Sequence, residues 1–465
     1  MDSHNPATGE RLETYDDHDE GDIEDILASA DDAFESWAET PITERQQLLE
    51  RAGELLRERE DEYAELISEE MGKPIAESRA ELEKCAWVCD FYAERADEFL
   101  ADEALGSEPH SRTFVSYEPL GAVLAVMPWN FPFWQVFRFA APHLTAGNVG
   151  LLKHASNVPG CALAIEEIFR DAGYPEGVFS TLLAGSDAIE DVIADDRLDA
   201  VTLTGSEGAG RAVAEQAGSE LKKHVLELGG SDPFVVCADA DLEAAAETAA
   251  TARTINSGQS CIAAKRFIVV DEVYDDFLDR FVSEMESLEV GDPLASDTDV
   301  GPQAREDLMT DLHEQVEESV AAGATLECGG EPLDREGYYY PPTVLSEPPR
   351  DSPAADEEVF GPAAAVFRVE DDDEAIELAN DTRYGLGGSV WTEDLDRGER
   401  LAREIEAGCV FVNELVKSDP RLPFGGVKAS GHGRELAEAG IHEFVNRKTV
   451  WVQSAGADDD VPDTE

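Results

Sequence analysis

Positive charge is what this chain has least of. Its 465 residues carry 35 Lys and Arg against 103 Asp and Glu, a formal net charge of −68, and only nine of the basic residues are lysine. Such a balance excludes nucleic-acid binding through a general basic surface. Cysteine is also scarce: seven residues, an odd number at scattered positions, argue against a disulfide framework. Cys85 and Cys89 stand four apart on an expected helix, not in the C-x-x-C spacing of a zinc site, and read as apolar residues on a buried face. The first twenty-five residues are polar and acidic with no apolar h-region, so no secretory signal is expected and the protein should stay in the cytoplasm. Leu120 to Phe137 approaches a membrane span in length, but Pro128, Asn130, Pro132 and Gln135 break it into a strand, a turn and a helix start. The dinucleotide fingerprint G-x-G-x-x-G is absent as well.

What is present describes a folded enzyme-sized body. Hydrophobic residues make up 42% of the chain and aromatics run through most of it, whereas acidic disordered chains lack them. Acid in this quantity beside so little lysine is read as an adaptation to molar salt, where the Debye length falls to about 3 Å, and is given no part in the chemistry. The first hundred residues are expected to be helical. Ile26, Ala30, Phe34 and Trp37 share one face, Thr43-x-x-Gln46 has the form of a capping box opening a second helix that Gly72 and Pro74 stop, and a third helix carries Leu82, Trp87, Phe91 and Phe99.

From Gly121 short apolar runs alternate with helical patterns: Ala122 to Met127, Val149 to Leu152, Val178 to Leu183, Ala200 to Thr204 and Val225 to Leu228. This rhythm means parallel βαβ units and a doubly wound sheet. A second series, Phe234 to Cys237, Phe267 to Val270, Ala363 to Phe367, Gly388 to Trp391 and Cys409 to Val412, predicts a second α/β domain. Between its parts Gly291 to Pro342 reads as rich in turns, and the last ten residues as a frayed tail.

A doubly wound sheet suggests a nucleotide, so something other than the missing fingerprint must hold the phosphates. Thr204-Gly205-Ser206 ends a strand and opens a helix, where free backbone N–H groups and the helix dipole can receive a pyrophosphate. Lys153 follows the last apolar residue of Val149-Gly150-Leu151-Leu152, and a lysine at a strand's carboxyl end is a candidate ligand contact. Three further stretches bring reactive groups. Asn256-Ser257-Gly258-Gln259-Ser260-Cys261 sets a thiol after a glycine turn, and Glu227-Leu228-Gly229-Gly230 a carboxylate at a strand end. Met127-Pro128-Trp129-Asn130-Phe131-Pro132 fixes an amide between prolines. Together they supply a nucleophile, a base and an oxyanion donor.

With Glu357-Glu358-Val359-Phe360-Gly361-Pro362 and Pro423-Phe424-Gly425-Gly426-Val427-Lys428-Ala429-Ser430-Gly431, these stretches resemble the ordered motif set of the aldehyde dehydrogenase superfamily, over nearly the whole chain. The resemblance implies two doubly wound α/β domains and a small β arm. An NAD(P)-binding domain is expected over 1–100 and 120–228, a catalytic domain over 229–424, an oligomerisation arm over 101–119 and 425–455, and an acidic tail over 456–465, assembled as homodimers or homotetramers. It makes Cys261 the nucleophile, Glu227 the general base and Asn130 the oxyanion donor. Glu358 and Phe360 match the positions that hold the nicotinamide ribose and ring, Gly205 and Ser206 the phosphate turn, and Lys153 the lysine on the adenine ribose. Trp129 and Leu228 belong to the same cofactor set.

Members that prefer NAD often carry Glu three residues after that lysine. Here Ser156 stands there, which predicts use of NADP at least comparable to NAD. For the substrate, Arg138 and Ser418 fall where succinate-semialdehyde dehydrogenases resemble this chain and bind a carboxylate, although Ile255 replaces the second Arg of the common form. The bland reading of Arg138 is a structural ion pair. The expected reaction is oxidation of a carboxylate-bearing aldehyde, succinate semialdehyde first, with NADP or NAD. A broad aliphatic or aromatic aldehyde dehydrogenase, permitted by Trp134, Phe133 and Phe137, is the second reading, and an inactive binding or structural homologue the third.

Overall fold

The computed structural model describes residues 1–108 and 111–454; the expected acidic tail, 456–465, lies outside the described residues. The first hundred residues are not wholly helical as expected: strands Asp2–His4 and Arg11–Thr14 pair antiparallel at the start, and four helices follow, Glu20–Trp37, Ile42–Glu58, Glu60–Met71 and Ile75–Phe99. The helices bury Ala30, Trp37, Leu82, Cys85 and Cys89 as expected, with Leu49, Leu56 and Ile67, whereas Ile26, Phe34, Trp87, Phe91 and Phe99 are only half-buried. The capping box is not where Thr43 placed it. Helix Ile42–Glu58 starts at Pro41 with no side-chain cap, whereas Asp19 and Asp22 form a reciprocal box at the head of Glu20–Trp37. Proline pre-sets the φ of a helix start and makes a side-chain cap at Thr43 unnecessary. The second predicted helix is two helices, divided at Arg59, and Gly72 closes the second with a left-handed φ of 82°.

The first alternating series becomes a six-stranded sheet in the order Gly431–His432, Lys223–Glu227, Leu198–Thr204, Ala122–Met127, Val149–His154 and Phe179–Thr181. All its pairings are parallel except that of Gly431–His432, which runs antiparallel to Lys223–Glu227. The second series becomes a seven-stranded sheet in the order Thr325–Cys328, Thr343–Ser346, Ala363–Val369, Ala264–Val270, Asp232–Val236, Gly387–Trp391 and Cys409–Val412. The stretch read as turns holds a 17-residue helix, Glu306–Ala322, and the antiparallel edge strand Thr325–Cys328. The helix buries only Leu312, Val316 and Ser319, so its acidic remainder masked the apolar stripe.

Three antiparallel strands, Glu103–Glu108, Ser111–Pro119 and Val445–Gln453, form a separate ribbon. The stretch 425–455 is therefore shared, because Gly431–His432 extends the six-stranded sheet while Val445–Gln453 completes the ribbon. Leu120 to Phe137 does split as expected, into the buried strand Ala122–Met127, a turn, and the start of helix Trp134–Ala146. Among the described residues no helix is long and apolar enough to cross a membrane.

Candidate active site

Parallel sheets present ligands at the carboxyl ends of their strands, where the chain leaves each strand for the next helix. Asn130 follows Ala122–Met127, Lys153 lies within Val149–His154, Gly205 and Ser206 follow Leu198–Thr204, and Glu227 ends Lys223–Glu227. A cavity of about 210 Å³ gathers Trp129, Asn130, Thr204, Gly205, Ser206, Leu228, Gly229, Cys261, Glu358 and Phe360. These residues come from five separate stretches of sequence that meet at this cavity, one of them carrying the half-buried thiol of Cys261.

The loop that carries the thiol is bent against the usual backbone preferences. Asn256, Ser257 and Gly258 all have left-handed φ, at 54°, 56° and 75°, which costs roughly 1–2 kcal/mol at each non-glycine residue. Gly258 is required twice over, since a Cβ there would collide with the Gly361 carbonyl. Buried partners hold the bend. Glu77 Oε2 accepts the Asn256 N–H at 2.7 Å, Ser257 Oγ accepts that of Gly301 at 2.9 Å, and Arg253 donates to the Gly258 carbonyl at 2.8 Å. Lys265 Nζ donates to the carbonyls of Ser260, Cys261 and Ala263 at 2.9–3.1 Å.

Asn130 is fixed from the same loop. Its amide Nδ2 donates to the Gln259 carbonyl at 3.0 Å, and Asn256 Nδ2 donates back to the Asn130 carbonyl at 2.7 Å. One amide hydrogen of Asn130 is thereby left for a developing oxyanion near the thiol. The helix that follows is capped from below by Glu81, whose Oε1 accepts the N–H groups of Phe133 and Trp134 at 2.9 Å and whose Oε2 pairs with the buried Lys73. His154 fastens the neighbouring strand end. Its Nδ1 accepts the Ala155 N–H, so its Nε2 carries the proton and donates to the Pro132 carbonyl at 2.9 Å. Burial lowers its pKa to about 4, which keeps the ring neutral.

Electrostatics separate the two reactive groups. Desolvation pushes the Cys261 thiol up to about 12, opposed by the nearby Arg138 and Lys265 cations, so the resting sulfur is protonated and needs a base. Glu227 is buried, and neither carboxyl oxygen has a well-aligned hydrogen-bond donor. Burial raises its pKa well above the usual carboxylate range, the neighbouring Glu435 raises it further, and Arg138 pulls it back. A raised pKa makes the ionised form of such a carboxyl a stronger acceptor of a proton from a thiol or water.

Arg138 and Ser418 lie in different pairings. Arg138 forms a buried ion pair with Glu435, Nε to Oε2 2.5 Å, and its Nη2 donates to Thr204 Oγ1 at 3.3 Å. Among the described residues its Nη1 has no hydrogen-bond partner. Ser418 Oγ accepts from Lys84 Nζ at 2.8 Å. Phe133 and Phe137 are fully buried core side chains and line no cavity with the thiol, which removes part of the support for an aromatic substrate.

The residues expected at the cofactor fit a dinucleotide. Ser206 caps helix Glu207–Ser219, whose first-turn N–H groups have no intrahelical acceptors. A Cβ added to Gly208 would meet nothing within 4 Å, so backbone can be approached closely there. Lys153 is half-buried with its pKa lowered by desolvation, and among the described residues it has neither a carboxylate nor a carbonyl partner. Ser156 beside it is exposed and neutral. Trp129 and Phe360 meet edge to face at 5.8 Å on the cavity wall. Glu358 accepts the Gly230 N–H at 2.9 Å and lies 4.0 Å from Lys265. Glu77, Arg253, Lys265, Glu435 and Lys84 were missed in the sequence. The only local sign was a pair of consecutive cations, Lys265-Arg266, inside an apolar strand.

Known proteins share this arrangement. The chain is 54% identical over 448 residues to a probable succinate-semialdehyde dehydrogenase [NADP(+)] of Synechocystis, covering 96% of this chain and 98% of that one. It is 50% identical over 458 residues to the succinate-semialdehyde dehydrogenase [NADP(+)] of Mycobacterium avium, covering 98% and 97%. Among solved structures, succinic semialdehyde dehydrogenase from Streptococcus pyogenes in complex with NADP+ superposes with a TM-score of 0.95 at 37% identity, covering 97% of this chain and 100% of that one. Residues 1–450 match the Aldehyde dehydrogenase family, and the chain belongs to it.

Proposed function

We propose that the protein oxidises succinate semialdehyde to succinate with NADP+, and with NAD+ as a second cofactor. The single observation that carries this is the identity of 54% and 50%, over nearly full length, to NADP-dependent succinate-semialdehyde dehydrogenases. Cys261 attacks the aldehyde carbon, and its proton passes to Glu227 directly or through water. The thiohemiacetal oxyanion accepts a hydrogen bond from the free N–H of the Asn130 amide. The nicotinamide, when bound, supplies the hydride acceptor that turns this adduct into a thioester on Cys261. Glu227 gives that first proton up to solvent, then takes a proton from the attacking water and passes it to the departing thiolate, so that succinate leaves as the thiol is restored.

Trp129, Leu228, Glu358 and Phe360 hold the nicotinamide half in this reading, Gly205 and Ser206 the pyrophosphate, and Lys153 with Ser156 the adenine ribose. A 2′-phosphate finds an ammonium and no opposing carboxylate at 153–156. Ser418 serves the distal carboxylate of the substrate, and Arg138 contributes through the one nitrogen that Glu435 and Thr204 leave free. The domain division expected from the sequence remains our reading. The ribbon exposes Leu105, Trp451 and Val452, apolar side chains that suit a contact with further copies of the chain as homodimer or homotetramer. The enzyme is placed in the cytoplasm.

The test is NAD(P)H formation at high salt from succinate semialdehyde and from butanal with each cofactor. A kcat/KM for succinate semialdehyde above that for butanal, and for NADP+ at least equal to that for NAD+, is expected. No preference for the carboxylated substrate returns the enzyme to a broad aldehyde dehydrogenase, and failure with NADP+ overturns the reading of Ser156.

A further inference from the structure

We propose that Lys84, which lines a cavity beside the nucleophile loop, is the principal cation that recognises the substrate's distal carboxylate, acting with the Ser418 hydroxyl it touches. The inference rests on the reading of the substrate as a carboxylated aldehyde.

Lysine is scarce here, and the other lysines have work in the protein. Lys73, Lys223, Lys265, Lys417, Lys428 and Lys448 pair with carboxylates. Lys222 donates to the Ile193 and Asp195 carbonyls. Among the described residues only Lys84 and Lys153 have neither kind of partner, and Lys153 stands where the cofactor is expected. Lys84 instead donates to Ser418 Oγ at 2.8 Å and sits 4.4 Å from the centroid of the Trp134 ring. In a chain of net charge −68 a half-buried ammonium without a carboxylate is costly unless an anion comes to it. The acids around it are occupied by other groups: Asp419 is paired with Arg421 at 2.6 Å, and of the other carboxylates lining its cavity besides Glu81, Glu77 accepts the Asn256 N–H and Asp299 that of Glu289.

Its position is equally specific. Lys84 lines a cavity of about 440 Å³ with Glu81, Phe131, Trp134, Thr254 and Ile255. Phe131 directly follows Asn130, and Ile255 opens the bent loop that ends at Cys261, so the cavity abuts both loops of the reacting centre. The second Arg absent at Ile255 faces this same space, and Lys84 supplies a cation from the opposite chain segment. Glu81 is neutralised there by Lys73 and the two capping N–H groups. Trp134 and Arg138 are one helical turn apart and share a face. Lys84 over Trp134 therefore sits one turn along from Arg138, whose charge is met by Glu435. Arg138 is committed to a protein carboxylate and Lys84 is not.

The experiment compares wild type with Lys84→Met and Lys84→Arg on succinate semialdehyde and butanal, with Tm and NADP+ binding as controls for folding. Loss of a charge-assisted bond predicts a fall in kcat/KM for succinate semialdehyde about 10- to 100-fold greater than that for butanal in Lys84→Met. The fall should lie mainly in KM, with partial recovery in Lys84→Arg. Succinate, as an inhibitor, should bind the Met variant more weakly by a similar factor. Where Lys84→Met fails to fold, Lys84→Gln makes the same comparison. A wild type without preference for succinate semialdehyde refutes the substrate reading itself. A wild type with that preference, kept in Lys84→Met, overturns the role of Lys84 alone, as does an equal loss on both substrates.

Discussion

Glu227 shows how one side chain's environment sets its task. Buried without a well-aligned donor and next to Glu435, it favours its neutral form, and Arg138, with lesser help from Arg434 and the Gly426 N–H, works against that. Glu227→Gln cannot accept a proton, so we expect a first burst of NAD(P)H followed by slow turnover, seen by stopped-flow absorbance; normal steady-state turnover would falsify the assignment at deacylation. The sign for Arg138 follows from the same triad. Removing the cation takes away the largest influence that lowers the Glu227 pKa, so the base is deprotonated only at higher pH. Arg138→Ala should move the ascending limb of the pH–kcat profile toward alkali with butanal as well as succinate semialdehyde. It should also destabilise the fold by about 3–5 kcal/mol, the usual result of leaving one member of a buried ion pair alone. An unmoved limb means that Arg138 does not tune the base.

At the scale of elements, the active site depends on a loop that is unfavourable by itself and on a helix that holds it. Helix Ile75–Phe99 places Glu77 under the Asn256 N–H, Glu81 under the head of Trp134–Ala146, and Lys84 in the neighbouring cavity. Residues 77, 81 and 84 fall at helical spacing and so face one way. Glu77 has its pKa raised to about 7 by burial, opposed by Lys73. Glu77→Ala leaves a buried N–H unpaired beside two left-handed residues, which should cost about 1–3 kcal/mol and lower kcat, whereas Glu77→Gln keeps an acceptor and should recover most of both. Thermal melts and initial rates decide this, and an Ala variant as stable and active as wild type would show that the loop holds itself.

Much of this was legible from sequence because strand ends and glycine turns are local. The runs Ala122–Met127 and Val149–Leu152 predicted their strands, and the cavity gathers Asn130, Cys261, Glu358 and Phe360 from their motifs. The supporting groups were not legible. Glu77 and Lys84 look like any charged residues on an acidic amphipathic helix, and their partners lie 179 and 334 positions away. Arg138 carried two readings in sequence, and only its distance to Glu435 distinguishes the ion pair.

For the whole molecule the dominant fact remains charge. Thirty-five cations cannot neutralise 103 anions, and among the described residues most carboxylates form no ion pair with a basic group. The basic groups present are largely spent locally: Arg397 binds Asp239 and Asp372, Arg57 binds Glu83 and Asp90, and Arg368 binds Asp271, Asp275 and Glu347. Exposed pairs of this kind contribute only about 0–1 kcal/mol each, too little to offset long-range repulsion among the remaining acids. That repulsion reaches across a Debye length, about 10 Å at 0.1 M salt and about 3 Å at 1 M, so concentrated salt removes most of it. The core resists it, but apolar burial is not specific to the ionic medium, whereas the repulsion is. We therefore expect the Tm to rise by several degrees or more from dilute buffer to molar KCl, with activity following, and the gain to saturate once the Debye length falls below the spacing of neighbouring carboxylates. Comparing KCl with an equally osmotic sugar separates screening from general exclusion effects. A Tm indifferent to KCl, or raised as much by the sugar, would reject adaptation to salt as the reason for the acidic surface.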